Sequence, residues 1–367
     1  MEEYCAKKMS IRRIAGILIC LMLLPLVSCA KIHQNSVQIQ TIVPIATPFE
    51  TIEVETPTDA AIDSVVPLPT TTPTLSTSPT ESPLSTAAVT TDEPKPRKGC
   101  FEQSVSYYSR GVLVPATICV PDGLGKCPLV VLMHGFAGNR DQGGGFKLLA
   151  EELYRIGIAS IRMDFAGCGK SEEDFSNCSL SSMKRDVVNA CKFMIENYDA
   201  DKEKIGLVGY SFGGRVLLEL LAERLVKPNA VMLIAPAAHA SVFIRIVGGQ
   251  PSWDALRSQA EAAGYAECKQ LGVSLGKSFF TDFDKYDTPE QYAAENYAGD
   301  ALMVYCKNDA VVPTSVTVSV VEALSCETIV FEDGGHPCGL YPDKNKQNSD
   351  SLTEASIVFF GKALADN

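Results

Sequence analysis

Continuous apolar runs alternate with one-sided apolar stripes from residue 100 onward, and this alternation predicts the architecture of the chain. Pro128–Met133 is an unbroken apolar run, which is typical of a strand covered on both faces. Ser181–Tyr198 places its apolar residues at helical spacing, so we predict a helix there, with Ser181 and Ser182 at its start. The other predicted strands are Ser104–Val120 (two strands around Arg110–Gly111), Ile158–Phe165, Lys204–Tyr210, Ala230–Ala235, Ala301–Tyr305 and Thr328–Phe331, and the other predicted helices are Phe146–Arg155, Gly213–Leu225, Pro313–Leu324 and Asp350–Ala365. Such alternation predicts an α/β fold with a mostly parallel, doubly wound sheet.

One long segment, at about residues 237–298, interrupts this alternation. It contains the single tryptophan, Trp253, at the start of a helix-like stretch that ends at Ala263, and the aromatic pair Phe279–Phe280. A stretch of about sixty residues between two core strands is too long for a simple connection. We therefore predict a cap over the carboxyl edge of the sheet.

The amino-terminal residues have the pattern of a targeting segment. Basic residues precede the apolar run Ile14–Leu24, as in a secretory signal, and the run is too short to span a membrane comfortably. Leu26-Val27-Ser28-Cys29 resembles the lipobox of bacterial lipoproteins. Residues 1–28 are therefore interpreted as a lipoprotein signal peptide, and Cys29 as the lipid anchor of a protein on the bacterial cell surface. The alternative is an ordinary secretory signal with an incidental cysteine, which would give a secreted protein.

The segment that follows has the composition of a linker. Thr41–Lys98 contains ten Pro, fourteen Thr and five Ser, with almost no aromatic residues. Such a stretch cannot bury enough apolar area to offset its backbone entropy. We predict a disordered Thr/Pro-rich tether over residues 29–99 and one globular domain over residues 100–367.

The charge argues against a nucleic-acid partner, the histidine and cysteine spacing argues against a zinc site, and the pairing of the cysteines stays open. The net charge of −12 repels phosphate, so a nucleic-acid partner is not expected. Four histidines without a closely spaced Cys/His quartet do not predict a zinc site. Export would permit disulfides, but buried free thiols are equally compatible with the pattern. The cysteines beyond Cys29 are Cys100, Cys119, Cys127, Cys168, Cys178, Cys191, Cys268, Cys306, Cys326 and Cys338.

A motif with a chemical role follows the predicted strand Lys204–Tyr210. Gly209-Tyr210-Ser211-Phe212-Gly213 has the spacing G-x-S-x-G between a strand and a helix, the setting of a nucleophile elbow. In so tight a turn, side chains at Gly209 and Gly213 would collide with neighbouring backbone, while Ser211 projects its hydroxyl outward. We predict that Ser211 is a nucleophile; the alternative is a serine that serves only the turn.

A serine hydroxyl needs a base to accept its proton, and the base is usually a histidine held by a carboxylate. In the strand–turn–helix setting, the order along the chain is serine, acid, histidine. Asp309 and His336 each follow a predicted strand, so they can converge on Ser211 at the carboxyl edge of the sheet. Asp300 and Asp333 are weaker alternatives for the acid by position.

The remaining site residues are backbone donors and histidines. The loop after Pro128–Met133 should supply the N–H of Phe136, and the elbow the N–H of Phe212, as an oxyanion hole. His134 is expected to shape that loop through hydrogen bonds rather than act as a base. His239 is assigned to the cap, because it opens that segment.

Together these motifs resemble the α/β-hydrolase superfamily, and within it the bacterial cinnamoyl (feruloyl) esterases and the related serine-aminopeptidase-like, monoacylglycerol-lipase-like group. The resemblance covers residues 100–365 and implies the α/β-hydrolase fold, with a cap insertion between two core strands. Where the family often has His or Asn, this chain has Cys168. Gly167-Cys168-Gly169 is interpreted as a turn rather than a phosphate loop, because no full nucleotide-binding motif surrounds it. The segments that carry the resemblance are His134-Gly135-Phe136, Asp164-Phe165-Ala166-Gly167-Cys168-Gly169-Lys170-Ser171, Gly209-Tyr210-Ser211-Phe212-Gly213-Gly214, Lys307-Asn308-Asp309 and Gly335-His336.

The predicted activity is hydrolysis of carboxylic esters through an acyl-enzyme, without a metal or organic cofactor. The expected substrate is a small or glycan-linked ester, such as a hydroxycinnamoyl or acetyl ester, and the only expected membrane contact is the lipid on Cys29. A peptidase of the same fold is an alternative, in which Asp282 or Asp284 of the cap would bind a free amine. A tethered binding protein with an inactive hydrolase domain is a third possibility.

Overall fold

The computed structural model describes residues 102–122 and 125–365. The predicted signal peptide, the anchor at Cys29, the tether and Cys100 lie outside the described residues. None of the described helices combines the length and hydropathy that crossing a bilayer requires.

Strands and helices alternate as the sequence predicts. The strands are β1 (Gln103–Ser109), β2 (Val112–Cys119), β3 (Cys127–Met133), β4 (Ala159–Met163), β5 (Ala200–Tyr210), β6 (Ala230–Ile234), β7 (Tyr265–Cys268), β8 (Val273–Gly276), β9 (Asp300–Cys306) and β10 (Glu327–Phe331). The helices are α1 (Gly145–Arg155), α2 (Leu180–Asn197), α3 (Phe212–Ala222), α4 (Ala240–Ile246), α5 (Gln250–Ala263), α6 (Lys277–Phe283), α7 (Pro289–Asn296), α8 (Thr314–Leu324) and α9 (Lys346–Ala363).

The main sheet of the described residues has the strand order β1-β2-β4-β3-β5-β6-β9-β10. Strand β2 runs antiparallel to both β1 and β4, and the other neighbouring pairs are parallel. The predicted hairpin around Arg110–Gly111 and the mostly parallel sheet are therefore confirmed.

The sheet is covered on both faces, which explains its apolar strands. In β3, Leu129, Val131 and Met133 face one core, whereas Val130 and Leu132 face the other. Helices α2, α3 and α8 contribute to the first core, and α1 and α9 to the second. A strand in this position needs apolar residues on both sides, hence its continuous run rather than an alternating pattern.

Two helix starts differ from the prediction because side-chain caps lie outside the apolar stripe. Helix α2 begins at Leu180, since Ser179 is its N-cap and exchanges hydrogen bonds with Ser182 in a capping box. Helix α9 begins at Lys346, because the Asn345 side chain accepts the Asn348 N–H at 3.0 Å.

The cap lies between β6 and β9, as predicted. It consists of α4, α5, α6 and α7, together with the two-stranded antiparallel sheet β7–β8. The pairing of β7 with β8 was not predicted, because each strand has only four residues. Helix α7 packs against α3, which places the end of the cap beside the helix that follows Ser211.

Candidate active site

Ser211 occupies a strained turn between β5 and α3. Its backbone has φ +52° and ψ −114°, a region that non-glycine residues rarely adopt. The Ser211 N–H donates to the carbonyl of Ile234 at 2.9 Å, and the Ser211 carbonyl accepts the N–H of Ala237 at 2.9 Å. The turn is therefore held in place by the end of β6 and the residues that follow it.

Gly209 and Gly213 of the elbow are as confined as the sequence predicts, and Gly214 is confined as well. A Cβ on Gly209 would lie 2.6 Å from the carbonyl oxygen of Gly213, and a Cβ on Gly214 would lie 2.7 Å from the ring of Pro236. These approaches are shorter than van der Waals contact, so the turn requires residues without side chains at both positions.

The structure brings Ser211, His336 and Asp309 together. The Nε2 atom of His336 lies 2.8 Å from the Ser211 Oγ, and its Nδ1 atom lies 2.8 Å from Oδ2 of Asp309. The other carboxylate oxygen, Oδ1, accepts the N–H groups of Val311 and Val312 at 2.7 and 2.9 Å. Because Oδ2 accepts the proton on Nδ1, Nε2 is left free to accept the serine proton.

The loops that carry the acid and the histidine are bound to each other. The Asn308 side-chain oxygen accepts the N–H of Gly335 at 2.9 Å. Gly334 and Gly335 have φ values of +121° and +61°, which turn the chain sharply before His336. The Asn308 contact thus fixes the spacing of Asp309 and His336. In the sequence, the only signal that could have identified Asn308 is its position next to Asp309.

The predicted oxyanion donors lie at the same edge of the sheet. Phe212 is the first residue of α3, so its N–H has no partner within the helix. Gly135, just before Phe136, lies so close to the elbow that a Cβ on it would be 3.3 Å from the Ser211 Cβ. Neither the Phe136 N–H nor the Phe212 N–H donates to another residue in the described part of the chain. Both therefore remain available to a substrate oxygen.

A glutamine that the sequence did not single out supports this loop. The Gln142 side-chain oxygen accepts the Gly135 N–H at 3.0 Å, and its amide nitrogen donates to the Tyr341 hydroxyl at 3.2 Å. Gln142 is buried and has a φ of +41°. No periodicity marks it, because it lies in the loop between β3 and α1.

His134 is placed as a structural residue. Its Nε2 accepts the Phe165 N–H at 3.2 Å, so the proton lies on Nδ1, which donates to the Gly135 carbonyl at 2.8 Å. Burial lowers the pKa of His134, which favours this neutral form. Both ring nitrogens are engaged, and the ring holds the loop after β3 against the end of β4.

The two alternative acids, Asp300 and Asp333, and the cap histidine His239 do not take part in the hydrogen bonds that link Asp309, His336 and Ser211. Asp300 is an exposed residue at the amino end of β9, the end opposite to that followed by Asp309. Asp333 precedes the histidine loop with an exposed side chain. His239 is the N-cap residue of α4, and its Nε2 contacts the Glu290 carboxylate at 2.7 Å within the cap.

The Asp164–Ser171 segment forms a turn around its own carboxylate. The Asp164 side chain accepts the N–H groups of Arg140 and Lys170, both at 2.8 Å, and a Cβ on Gly169 would lie 2.2 Å from that carboxylate. The carboxylate occupies these N–H groups, so they are not available to a phosphate. The interpretation as a turn therefore fits the structure better than a phosphate loop.

An aromatic cluster borders the elbow. The ring of Phe136 lies 5.1 to 5.9 Å, between centroids, from the rings of Phe175, Phe212, Phe243 and Phe279. Phe136 and Phe175 are half-buried, whereas the other three are buried. The exposed edge of the cluster is thus formed by Phe136 of the oxyanion loop and Phe175 of the segment between β4 and α2, and its interior by rings of α3 and the cap.

No disulfide links the cysteines of residues 102–122 and 125–365. Burial raises the pKa of Cys191 and of Cys326 to about 12, and that of Cys119 to about 11. All of the described cysteines except the half-buried Cys326 are buried, and for these the interpretation as buried thiols fits the structure.

Part of the chain is similar in sequence to known proteins. Residues 126–260 match the model of the family described as serine aminopeptidase, S33. The chain is 30% identical over 116 residues to the mitochondrial palmitoyl-protein thioesterase ABHD10 of Mus musculus, an alignment that covers 31% of this chain and 36% of that protein. It is also 30% identical over 101 residues to an uncharacterized 31.7 kDa protein from the traX-finO intergenic region of Escherichia coli, covering 28% and 35% of the two chains. The chain therefore spans little more than a third of the length of these curated relatives.

Similar solved structures cover nearly all of the described domain. Est1E from Butyrivibrio proteoclasticus has a TM-score of 0.57 and 19% identity, over 72% of this chain and 99% of Est1E. Mouse alpha/beta hydrolase domain-containing protein 10 has a TM-score of 0.52 and 18% identity, over 71% of this chain and 99% of that one. The chain has the α/β-hydrolase fold, which confirms the fold predicted from its motifs.

Proposed function

We propose that the protein is a serine hydrolase that cleaves carboxylic esters through an acyl-enzyme intermediate. The observation that carries the proposal is the hydrogen-bonded chain from Asp309 through His336 to Ser211, placed on a strained elbow next to two unused N–H groups. Nucleophile, base and orienting acid in this geometry are the parts that acyl transfer needs.

Each residue has a defined role in the proposed reaction. The Ser211 oxygen attacks the ester carbonyl while His336 Nε2 accepts its proton, and Asp309 stabilises the resulting imidazolium. The N–H groups of Phe136 and Phe212 donate to the tetrahedral oxyanion. His336 then protonates the departing alcohol, and water repeats the sequence on the acyl-serine.

We place the acyl group of the substrate against the half-buried rings of Phe136 and Phe175. These rings form the exposed edge of an aromatic cluster, and aromatic rings favour stacked or edge-to-face contact with another ring. A hydroxycinnamoyl ester would supply such a ring, whereas an acetyl ester would use the same nucleophile with fewer contacts. One similar solved structure is Est1E with bound ferulic acid, which motivates testing this class of ester first.

A thioester is the second proposed substrate, because the matched segment of the mouse relative belongs to a palmitoyl-protein thioesterase. Peptidase activity has less support, because the two cap carboxylates predicted to bind a free amine have partners within the protein. Asp282 accepts the Ser181 N–H and hydroxyl at 2.6 and 2.9 Å, and the Asp284 carboxylate pairs with Arg257 at 2.5 Å. Both carboxylates are therefore engaged within the protein rather than available to a substrate amine.

For location, we propose that a lipid on Cys29 anchors the domain at the bacterial cell surface and that residues 29–99 act as the tether. The proposal rests on the basic and apolar pattern that ends at Cys29. Mass spectrometry of the mature protein should detect a lipid-modified Cys29; an unmodified residue or a different first residue would refute the anchor.

The test of the activity compares the wild type with Ser211→Ala. Turnover of p-nitrophenyl acetate should fall by roughly 10⁵- to 10⁶-fold in the variant, and labelling by a fluorophosphonate probe should disappear. Circular dichroism should show the same fold in both proteins. Substantial turnover by Ser211→Ala would remove Ser211 from this role. A panel of feruloyl, acetyl, palmitoyl-thioester and aminoacyl substrates then separates the substrate classes.

A further inference from the structure

A buried arginine joins the elbow helix to the cap. Arg215 lies on α3, four residues after Ser211, and is fully buried. Its Nε donates to the Glu219 carboxylate at 2.8 Å, its Nη1 donates to the carbonyl of Ala238, and its Nη2 donates to the carbonyl of Tyr286 at 2.8 Å. One guanidinium thus contacts the start of the cap and its interior at the same time.

The two carbonyls belong to segments that border the candidate site. Ala238 follows Ala237, whose N–H is bound by the Ser211 carbonyl. Tyr286 follows α6, which carries Phe279 and Phe283. Both rings pack within 5.8 to 6.1 Å of the Phe212 ring, measured between centroids.

The guanidinium also lies next to the aromatic cluster itself. The Cζ atom of Arg215 is 5.1 Å from the centroid of the Phe283 ring, within the range of a cation–π contact. Burial lowers the pKa of Arg215, and Glu219 opposes that shift as its charged partner. A planar group with several donors can hold two carbonyls and a carboxylate together, which a single ammonium does less well.

We propose that Arg215 is a positioning residue: it fixes α6 and its rings against Phe212, the residue next to Ser211, and thereby determines how well the site holds a bulky acyl group. This inference rests on the proposed ester hydrolysis. Without Arg215, the carbonyls of Ala238 and Tyr286 would lose their hydrogen bonds to α3. The hydrogen bonds among Ser211, His336 and Asp309 would remain.

The chain offers a matched control for a merely structural role. Lys184 of α2 is also buried, and its Nζ donates to the same Glu219 carboxylate at 2.7 Å as well as to Glu223. In these contacts Lys184 supports α3 without contacting a cap carbonyl. Removing it should disturb the buried ion pairs without releasing α6.

The experiment measures kcat and KM of Arg215→Met, Arg215→Lys and Lys184→Met with p-nitrophenyl acetate and p-nitrophenyl phenylpropanoate. These esters share a leaving group and differ only in the acyl part. For Arg215→Met we expect the ratio of kcat/KM between bulky and acetyl ester to fall about tenfold, mainly through KM, because the acyl-binding surface is displaced. Arg215→Lys should fall between Arg215→Met and the wild type, and Lys184→Met should keep the wild-type ratio.

An unchanged ratio in Arg215→Met, or an equal fall in Lys184→Met, would overturn the proposal. Should Arg215→Met fail to fold, Arg215→Lys decides the question by the same ratio.

Hydrogen exchange gives a readout independent of activity. Residues 277–298 should lose amide protection in the Arg215 variants and retain it in Lys184→Met. Equal protection in all of the variants would also refute the positioning role. A wild type inert to both esters and to the fluorophosphonate would reject ester hydrolysis instead, and the exchange measurement would still decide the role of Arg215.

Discussion

A Cβ on Gly213 would lie 2.2 Å from the carbonyl oxygen of Met133. Met133 is the last residue of β3 and Gly213 the second residue of α3, so the elbow helix begins in direct contact with the strand that leads into the oxyanion loop. The relative position of Ser211 and the Phe136 N–H therefore depends on the absence of a side chain at Gly213.

Gly213→Ala should disturb both stability and turnover. The added methyl group would meet backbone rather than a flexible side chain, so we expect a loss of about 1–3 kcal/mol in the free energy of unfolding and a lower kcat. Urea unfolding and p-nitrophenyl acetate kinetics measure the two effects. Gly125→Ala is the control, because a Cβ on Gly125 would meet no atom within 4 Å. Wild-type stability and kcat in Gly213→Ala would show that β3 and α3 can separate without consequence.

Asp309→Asn should affect the proton on His336 while keeping the shape of the site. The N–H groups of Val311 and Val312 can only donate, so the amide oxygen of the new asparagine must stay with them. Its NH₂ group would then face Nδ1, which places the imidazole proton on Nε2, where it blocks transfer from Ser211.

We expect kcat/KM for p-nitrophenyl acetate to fall by about 10⁴-fold in Asp309→Asn. Asp300→Asn, at an exposed carboxylate on the opposite end of β9, should stay within about twofold of the wild type. Comparable activity in Asp309→Asn and the wild type would mean that another group orients His336.

Gln142→Leu should weaken oxyanion stabilisation. The variant leaves the Gly135 N–H without its acceptor, and the Phe136 N–H follows directly in the chain. A buried donor left unpaired costs about 1–3 kcal/mol of stability, so we expect the loop to shift. The displaced Phe136 N–H would then stabilise the oxyanion less well, and we expect kcat to fall about tenfold with little change in KM. Gln142→Glu keeps an oxygen for Gly135 and should recover most of the turnover. Equal kcat in Gln142→Leu and the wild type would show that the loop holds its shape without this contact.

The sequence predicts the sheet well because both faces of its central strands are buried. The run in β3 is apolar throughout for that reason, and the residues after β5, β9 and β10 then converge at one edge by the geometry of parallel strands. Ser211, Asp309 and His336 could therefore be singled out before any coordinates. The start of α2 could not, because Ser179 and Ser182 form the capping box outside the apolar stripe.

Gln142 and Arg215, which the sequence did not mark as functional, contact residues that are far away along the chain. Gln142 contacts Tyr341, which is 199 positions away, and Arg215 contacts Tyr286, which is 71 positions away. Neither contact leaves a period or a motif in the sequence. An arginine within an apolar helix gives no indication of which carbonyls it will bind, because those carbonyls belong to the cap, the least regular part of the pattern.

The buried thiols should make the fold sensitive to alkali. The pKa of Cys191 is raised by burial from 9.0 to about 12, so the folded state keeps the thiol proton where the unfolded state loses it. Because the unfolded state binds fewer protons in that range, the stability contributed by this thiol is complete below pH 9 and is lost as the pH rises towards 12. Between about pH 8 and about pH 10 the loss from one such thiol amounts to about 1 kcal/mol. Urea unfolding under reducing conditions measures this loss of unfolding free energy. In Cys191→Ala the free energy of unfolding should fall less between about pH 8 and about pH 10, by the contribution of this one thiol. A destabilisation that is the same at every pH would report only the cavity left by the thiol. Equal slopes in the two proteins would mean that the Cys191 thiol ionises as readily in the folded domain as in the unfolded chain.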